Sequence, residues 1–319
     1  MCNNGMLLYK LGAVLLYKIV LKRGNGMITV IENKWLKVEI ASSGAEVRKV
    51  QHKETELDYM WTGDKAYWGR VSPVLFPIVG RLKNDEYELN GKTYALNQHG
   101  FLRDVNFDIK EKTDNAVTFA TQSDGRFLDV FPYEFSAFIH YSLQGDSLLV
   151  RWEIVNDNKE VMNFSIGAHP AFRVPLLDNE SVEDYILYFT PAENKDVMEY
   201  ELKDSLIHEK GTANDIESIQ LKDSLFVNDA LVYSHIDAIK VESNKSNHGV
   251  EVKFKNFPFV GIWSNYSQSE GTMAPFVCIE PWYGIADTYN TTGRLNEKVG
   301  INKLEAGETF QAEYEMKFT

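Results

Sequence analysis

The chain has 319 residues, 44% of them hydrophobic, with a formal net charge of −13 and two cysteines, Cys2 and Cys278. So acidic a balance argues against a nucleic-acid partner held by phosphate contacts, and no apolar run approaches the ~20 residues of a membrane helix. Two cysteines at opposite ends are neither a disulfide framework nor a zinc signature, and they suit a reducing, cytoplasmic compartment.

Residues 1–26 carry four basic residues, no acidic ones, and an apolar stretch broken by Lys10 and Lys18. Between those lysines lie only Leu11 to Tyr17, the bottom of the ~7–15 residues expected of a signal-peptide core, and no small-x-small cleavage site follows. The segment reads as an appendage or upstream start, with a membrane-surface helix as the alternative. Met27 then opens MITVIENKWLKVEI, an ordinary first strand, so one domain is expected over 27–319.

Next comes SPVLFPIVGRLKND (72–85), where two prolines, a glycine and Arg81 interrupt the strand pattern. YELNGKTYAL places an Asn-Gly pair between two strand-like runs, a strong hairpin signal; its GKT lacks the upstream glycine of a phosphate-binding loop. NQHGFLRD (97–104) carries His99 and Arg103. Strict alternation follows in Phe135, Ala137, Ile139, Tyr141 and Leu143, and again in Leu148, Val150, Trp152 and Ile154. IGAHPAF (166–172) sets His169 in an apolar, proline-stiffened stretch. Alternation returns at Val250, Val252 and Phe254, CIEPWYG (278–284) does for Glu280 what the earlier stretch does for His169, and Phe310 to Phe318 alternates to the end.

A period of two marks antiparallel strands with one face on a core and one wet. Helical periodicity is scarce, and no linker, low-complexity break or repeat interrupts the strands. The pattern predicts an all-β fold, a large single-domain antiparallel β-sandwich or barrel, and excludes alternating βαβ units. A dinucleotide fingerprint, a nucleophile elbow, a zinc-protease helix motif and paired cysteine motifs are all missing from the sequence.

Four of the interrupting stretches, G-R-L-K-N-D, Q-H-G-F, G-A-H-P-A-F and I-E-P-W-Y-G, occur in this order. The chain thereby resembles the aldose 1-epimerase (galactose mutarotase) family, closest to its LacX-like branch, from about residue 27 to the C-terminus. The resemblance implies a large antiparallel β-sandwich and a reaction that interconverts the α and β anomers of a hexose or hexose phosphate. Carried over by motif, the general base falls on Glu280 and the general acid on His169. His99 would hold the sugar near its ring oxygen, and Arg81 would bind the sugar. Asp229, in LFVNDALVY, is placed by order and local pattern, either as a ligand for sugar hydroxyls or as a turn residue.

The chemistry needs these residue types. One proton leaves the C1 hydroxyl while another reaches the ring oxygen, the ring opens, C1 turns, and closure reverses both transfers. Reference pKa values near 4.3 and 6.5 leave Glu ionised and His near its switching point, and a carboxylate ~4–6 Å away favours the protonated His. No metal, nicotinamide or phosphate cofactor is required. The expected partner is a small-molecule sugar, with the chain a monomer or homodimer.

A lone His on a strand is more often a satisfied structural group, the reading given to His52, His140, His208, His235 and His248. A Glu between Ile279 and Pro281 is costly unless paired or working. Trp282, Tyr283 and Phe101 are equally core aromatics or walls against a sugar face. Arg70 and Arg103 are surface ion-pair residues or, for a phosphorylated substrate, phosphate contacts. Two other functions fit such a scaffold: a non-catalytic carbohydrate-binding or sensing protein, and a glycoside-cleaving enzyme. The latter usually needs two carboxylates flanking the bond, where these motifs supply one.

Overall fold

The computed structural model describes residues 26–319, so the appendage reading of 1–26 lies, but for Gly26, outside the described residues. Every alternating stretch of the sequence is a strand, and the strands build two large antiparallel sheets. The nine-stranded sheet runs Ser218–Gln220, Tyr185–Pro191, Ile236–Ser243, Gly249–Lys253, Thr309–Phe318, Ser147–Asn156, Phe135–Gln144, Ala116–Gln122 and Asp108–Lys112. The eight-stranded sheet runs Leu206–Thr212, Met198–Lys203, Leu231–Ser234, Phe259–Trp263, Phe276–Tyr283, Ile166–Ala168 and Val74–Leu75, with Ala171–Arg173 also paired to Phe276–Tyr283.

The main core lies between them. Leu148, Val150, Trp152 and Ile154 come from one sheet, and Val260, Ile262, Val277 and Ile279 from the other. The register sets Trp152 opposite Ala312 and Ile154 opposite Phe310, so each alternating face meets another of its kind. The Asn-Gly hairpin forms as expected: Glu86–Leu89 pairs with Lys92–Ala95 around Asn90 and Gly91, both at positive φ (53° and 77°).

The first strand differs from the expectation. MITVIENKWLKVEI is two strands, Ile28–Glu32 and Leu36–Ala41, which join Val47–His52 in a three-stranded sheet. Asn33 makes the turn, its Oδ1 accepting the backbone N–H of Trp35 at 2.8 Å and of Leu36 at 2.7 Å. A short polar side chain that satisfies its own neighbours' amides reverses the chain without breaking the apolar count.

Strand Phe276–Tyr283 decides where the site lies. Its Val277 and Ile279 enter the main core, so alternation sends Phe276, Cys278, Glu280 and Trp282 to the opposite face. Phe259–Trp263, paired beside it, likewise gives Val260 and Ile262 to the core and turns Phe259, Gly261 and Trp263 outward. A second apolar layer therefore coats this outer face, with Cys278 and Phe276 packed beneath Trp61, Trp68 and Trp263.

Candidate active site

On that outer face lies a cavity of about 580 Å³, within the range of small-molecule pockets. Its walls include His99, His169, Glu280, Arg81 and Asp229, all five residues singled out from the sequence. They come from five separate stretches of chain, brought together by the sheet and its loops.

Glu280 sits mid-strand opposite Gly261. Gly261 is small for a reason: a Cβ there would stand 2.3 Å from the Trp282 ring, and one on Gly167 would stand 2.6 Å from the same indole. Two glycines thus hold the Trp282 indole against the sheet, beside Glu280, as one wall of the cavity. His169 follows strand Ile166–Ala168 at a break enforced by Pro170, which lacks an N–H for the ladder. Pairing resumes one turn later, with Ala171 opposite Cys278. The interruption brings His169 Nε2 to 3.3 Å from Glu280 Oε2, with both side chains buried.

His99 is fixed by a different device. The His99–Gly100 pair occupies the left-handed region (φ 67° and 66°), a conformation rare for His and one that concentrates at functional sites. His99 N–H donates to the Gly80 carbonyl at 2.9 Å, and Gly80 N–H donates to His99 Nδ1 at 3.1 Å. Nδ1 is therefore an acceptor and the ring proton resides on Nε2. The His99 and His169 rings meet edge to face, 5.6 Å between centroids.

The electrostatics revise one expectation. The adjacent carboxylate was expected to hold His169 protonated, yet His169 is lowered well below its ordinary pKa, first by burial and then by the Arg103 and Arg70 charges. Burial, with the nearby Asp229 charge adding to it, raises Glu280 well above the carboxylate range. The Trp282 indole nitrogen has no partner at bonding geometry, yet lies close enough to offset part of that rise. His99 is also lowered, first by burial and then by His169, Arg103 and Arg70. Removing charged groups from water costs more here than their attraction returns. The pair thus favours one shared proton and no net charge.

The remaining expectations divide. Arg81 lines the cavity but is exposed, its Nε paired with Asp85 Oδ1 at 2.9 Å. Asp229 is both a turn residue, at φ 78°, and a cavity residue, its Oδ1 accepting the Ala230 N–H at 2.8 Å. Arg103 lines the cavity, donates to the Gln98 carbonyl and keeps a buried Nε without a partner. Arg70 is an ion-pair residue, bound to Asp104 at 2.8 Å. Phe101 stacks on Phe127, and Tyr283 packs on Phe257 and Phe310, so both are core aromatics. His52, His140, His208, His235 and His248 all lie off the cavity wall. His140 sits on the wet face as expected, bonded to Thr118 Oγ1 at 3.0 Å.

Sequence reasoning missed two aromatics. Trp68 stacks on the His169 ring at 4.7 Å and 26°, and Trp263 meets it edge-on at 5.7 Å. Trp68 belongs to the loop stretch DKAYWGR, where two adjacent aromatics among polar residues were the available signal. It also missed a ligand-like trio: His169, Cys278 and Glu280 present donor atoms that all lie within 4.8 Å of one another.

Comparison with known proteins bears on family and fold. Residues 27–298 match the profile of the family described as Aldose 1-epimerase. The plasmid-encoded protein LacX of Lactococcus lactis subsp. lactis is 30% identical over 301 residues, covering 91% of this chain and 99% of that protein. A galactose mutarotase related enzyme from Lactobacillus acidophilus superposes with a TM-score of 0.87 at 37% identity, covering 92% of this chain and 97% of that one. A galactose mutarotase-like protein from Lactobacillus casei gives 0.82 at 31% identity, covering 92% and 100%. Among the described residues, no helix is long and apolar enough to cross a membrane.

Proposed function

The chain belongs to the aldose 1-epimerase family, and from that premise we propose that it interconverts the α and β anomers of a hexose or hexose phosphate at the Glu280–His169 pair. Family and fold together support a mutarotase-like, sugar-binding site. The observation that carries the finer reading is the 3.3 Å approach of His169 Nε2 to Glu280 Oε2 on a cavity wall. The C1 hydroxyl and the ring oxygen share one carbon, so a base and an acid in near contact can reach both within ~2.6–3.2 Å.

Glu280 takes the proton of the C1 hydroxyl as His169 delivers one to the ring oxygen. The C1–O5 bond breaks, leaving a C1 aldehyde and a C5 hydroxyl, and the pair still holds one proton. After rotation about C1–C2, His169 recovers its proton from the C5 hydroxyl and Glu280 returns one to the new C1 oxygen. The pair ends as it began. The working form is carboxylate with imidazolium. It has the same proton count as the form favoured by burial, so reaching it needs only transfer within the pair. Sugar hydroxyls entering the cavity supply the carboxylate with donors that burial removed, and the Trp68 face stabilises the imidazolium it stacks on. His99, with its proton on Nε2, donates to the sugar near the ring oxygen, while Arg81 and Asp229 hold outer hydroxyls. Acid–base assistance of this kind supplies about 10²–10⁴-fold.

Magnetisation transfer between anomeric proton resonances, measured on a panel of aldoses and their 6-phosphates, tests the reading. Exchange accelerated for at least one sugar is expected. Sugars that bind without accelerated exchange would instead support a carbohydrate sensor.

A further inference from the structure

Glu280 and Cys278 leave the same face of strand Phe276–Tyr283, two residues apart, and His169 approaches Glu280 from beside them. Their ligand atoms lie within 4.8 Å of one another. Tetrahedral zinc with bonds of about 2.0–2.3 Å implies ligand separations of roughly 3.3–3.8 Å. The His169 Nε2–Glu280 Oε2 edge, at 3.3 Å, already has that length. From this geometry we propose that His169 and Glu280 on the cavity wall, with the buried Cys278 behind them, form a reversible site for a thiophilic divalent cation of the Zn²⁺ class, and that its occupation blocks sugar chemistry.

Charge favours the assignment. The trio is buried, and burial opposes a lone thiolate or a lone carboxylate. One divalent cation with one thiolate, one carboxylate and one neutral imidazole sums to zero. Binding releases the thiol proton and the proton shared by the pair to solvent. The soft sulfur selects Zn²⁺ or Co²⁺ over Mg²⁺ or Ca²⁺, which take oxygen ligands. The fourth position opens to the cavity, where a water or a sugar oxygen can complete the shell.

The surroundings favour a reversible occupant over a resident one. Metal-bound histidines almost always give their second ring nitrogen a partner, and losing that partner costs about 10–100-fold in affinity. Among the described residues, the buried His169 Nδ1 has none. Inhibition follows because the cation takes the lone pairs that Glu280 and His169 would use on the sugar. That consequence rests on the proposed reaction, whereas binding does not.

Cobalt(II) gives a readout independent of activity. The full chain carrying Cys2→Ser, which leaves Cys278 as the one thiol, is titrated with Co²⁺ in the absence of sugar. A near-ultraviolet sulfur-to-cobalt charge-transfer band should appear, and it should be lost when Cys278→Ser is added. In the same pair, the Zn²⁺ concentration giving half-inhibition of anomer exchange should rise by about tenfold or more with the loss of the sulfur ligand. Cys278→Ala guards against a folding defect in the serine variant, and metal-free exchange in either reports an intact site. The metal site is overturned if Cys2→Ser gives no charge-transfer band, or if the band survives loss of Cys278. A Cys278-dependent band with exchange untouched by saturating Zn²⁺ overturns the blocking role. If metal-free exchange is lacking altogether, the proposed function fails while the band still decides the site.

Discussion

Replacing Gly261 with Ala adds one methyl group directly against the Trp282 ring. The backbone at Gly261 is ordinary strand, so alanine meets no conformational penalty there and would in isolation stabilise by ~0.5–1 kcal/mol. Its Cβ, however, would lie 2.3 Å from Trp282 Cη2 and 2.4 Å from Cζ2. The indole cannot retreat freely, because Gly167 lies against its other edge and Val79 packs in the same apolar cluster. Overpacking of this kind costs about 1–3 kcal/mol, leaving a net loss of up to about 2.5 kcal/mol after the backbone gain. Thermal unfolding should register it as a fall of up to about 4 °C. Anomer exchange should suffer more, by about 10²-fold, since a shifted Trp282 moves the wall beside Glu280 by a fraction of an ångström to an ångström. The cycle with Trp282→Phe is decisive. Phe lacks the clashing atoms, so in that background Gly261→Ala should keep only the backbone gain, a coupling of about 1–3 kcal/mol. An equal penalty in both backgrounds would refute the clamp.

Four further outcomes follow from the same geometry. With chelator present, kcat/KM should follow a bell whose acid limb lies below ~4.3 and whose alkaline limb lies above ~6.5, the free values of Glu and His. Adding a second proton makes the buried pair cationic and removing its only proton makes it anionic; burial opposes both, as the lowered His169 and raised Glu280 record. A bell narrower than the free-residue interval would contradict this. His169→Asn should lose mainly kcat, and His99→Asn, which still donates a hydrogen bond, should lose a larger share in KM. Lys298→Met should cost about 3–5 kcal/mol in chemical unfolding, because it strands the buried Asp287 carboxylate 3.5 Å from the lost ammonium. Asp287 also takes the Lys83 N–H and donates its own to the Arg81 carbonyl, so sugar affinity should fall too; unchanged affinity would remove this anchor from the account. A chain starting at Met27 should melt and turn over like the full chain, and a drop in either would make residues 1–26 part of the domain.

Much of the fold was legible because a half-buried strand must alternate. Leu148 to Ile154 and Phe310 to Phe318 declared both their conformation and their buried face. Ile28 to Ala41 misled because a turn held by one Asn side chain leaves no gap in the apolar pattern. In the site, Glu280, His169 and His99 stood out as polar groups in apolar, turn-forming stretches. Phe101 and Tyr283 could not be sorted from Trp282 by sequence, since which face a residue takes depends on register against strands far along the chain. Trp68 and Trp263 reach His169 only through the fold. The protonation of the pair was misjudged for a physical reason: spacing signals a neighbouring charge, but the cost of removing both groups from water depends on burial.

Glu280→Gln tests the central claim most directly. It preserves the shape of the side chain and its hydrogen-bonding capacity while removing the proton acceptor. Magnetisation transfer between the anomeric protons of the best substrate should show exchange falling by about 10²–10⁴-fold, with sugar binding by titration calorimetry changed severalfold at most. Near wild-type exchange in a folded, sugar-binding Glu280→Gln protein would contradict the account.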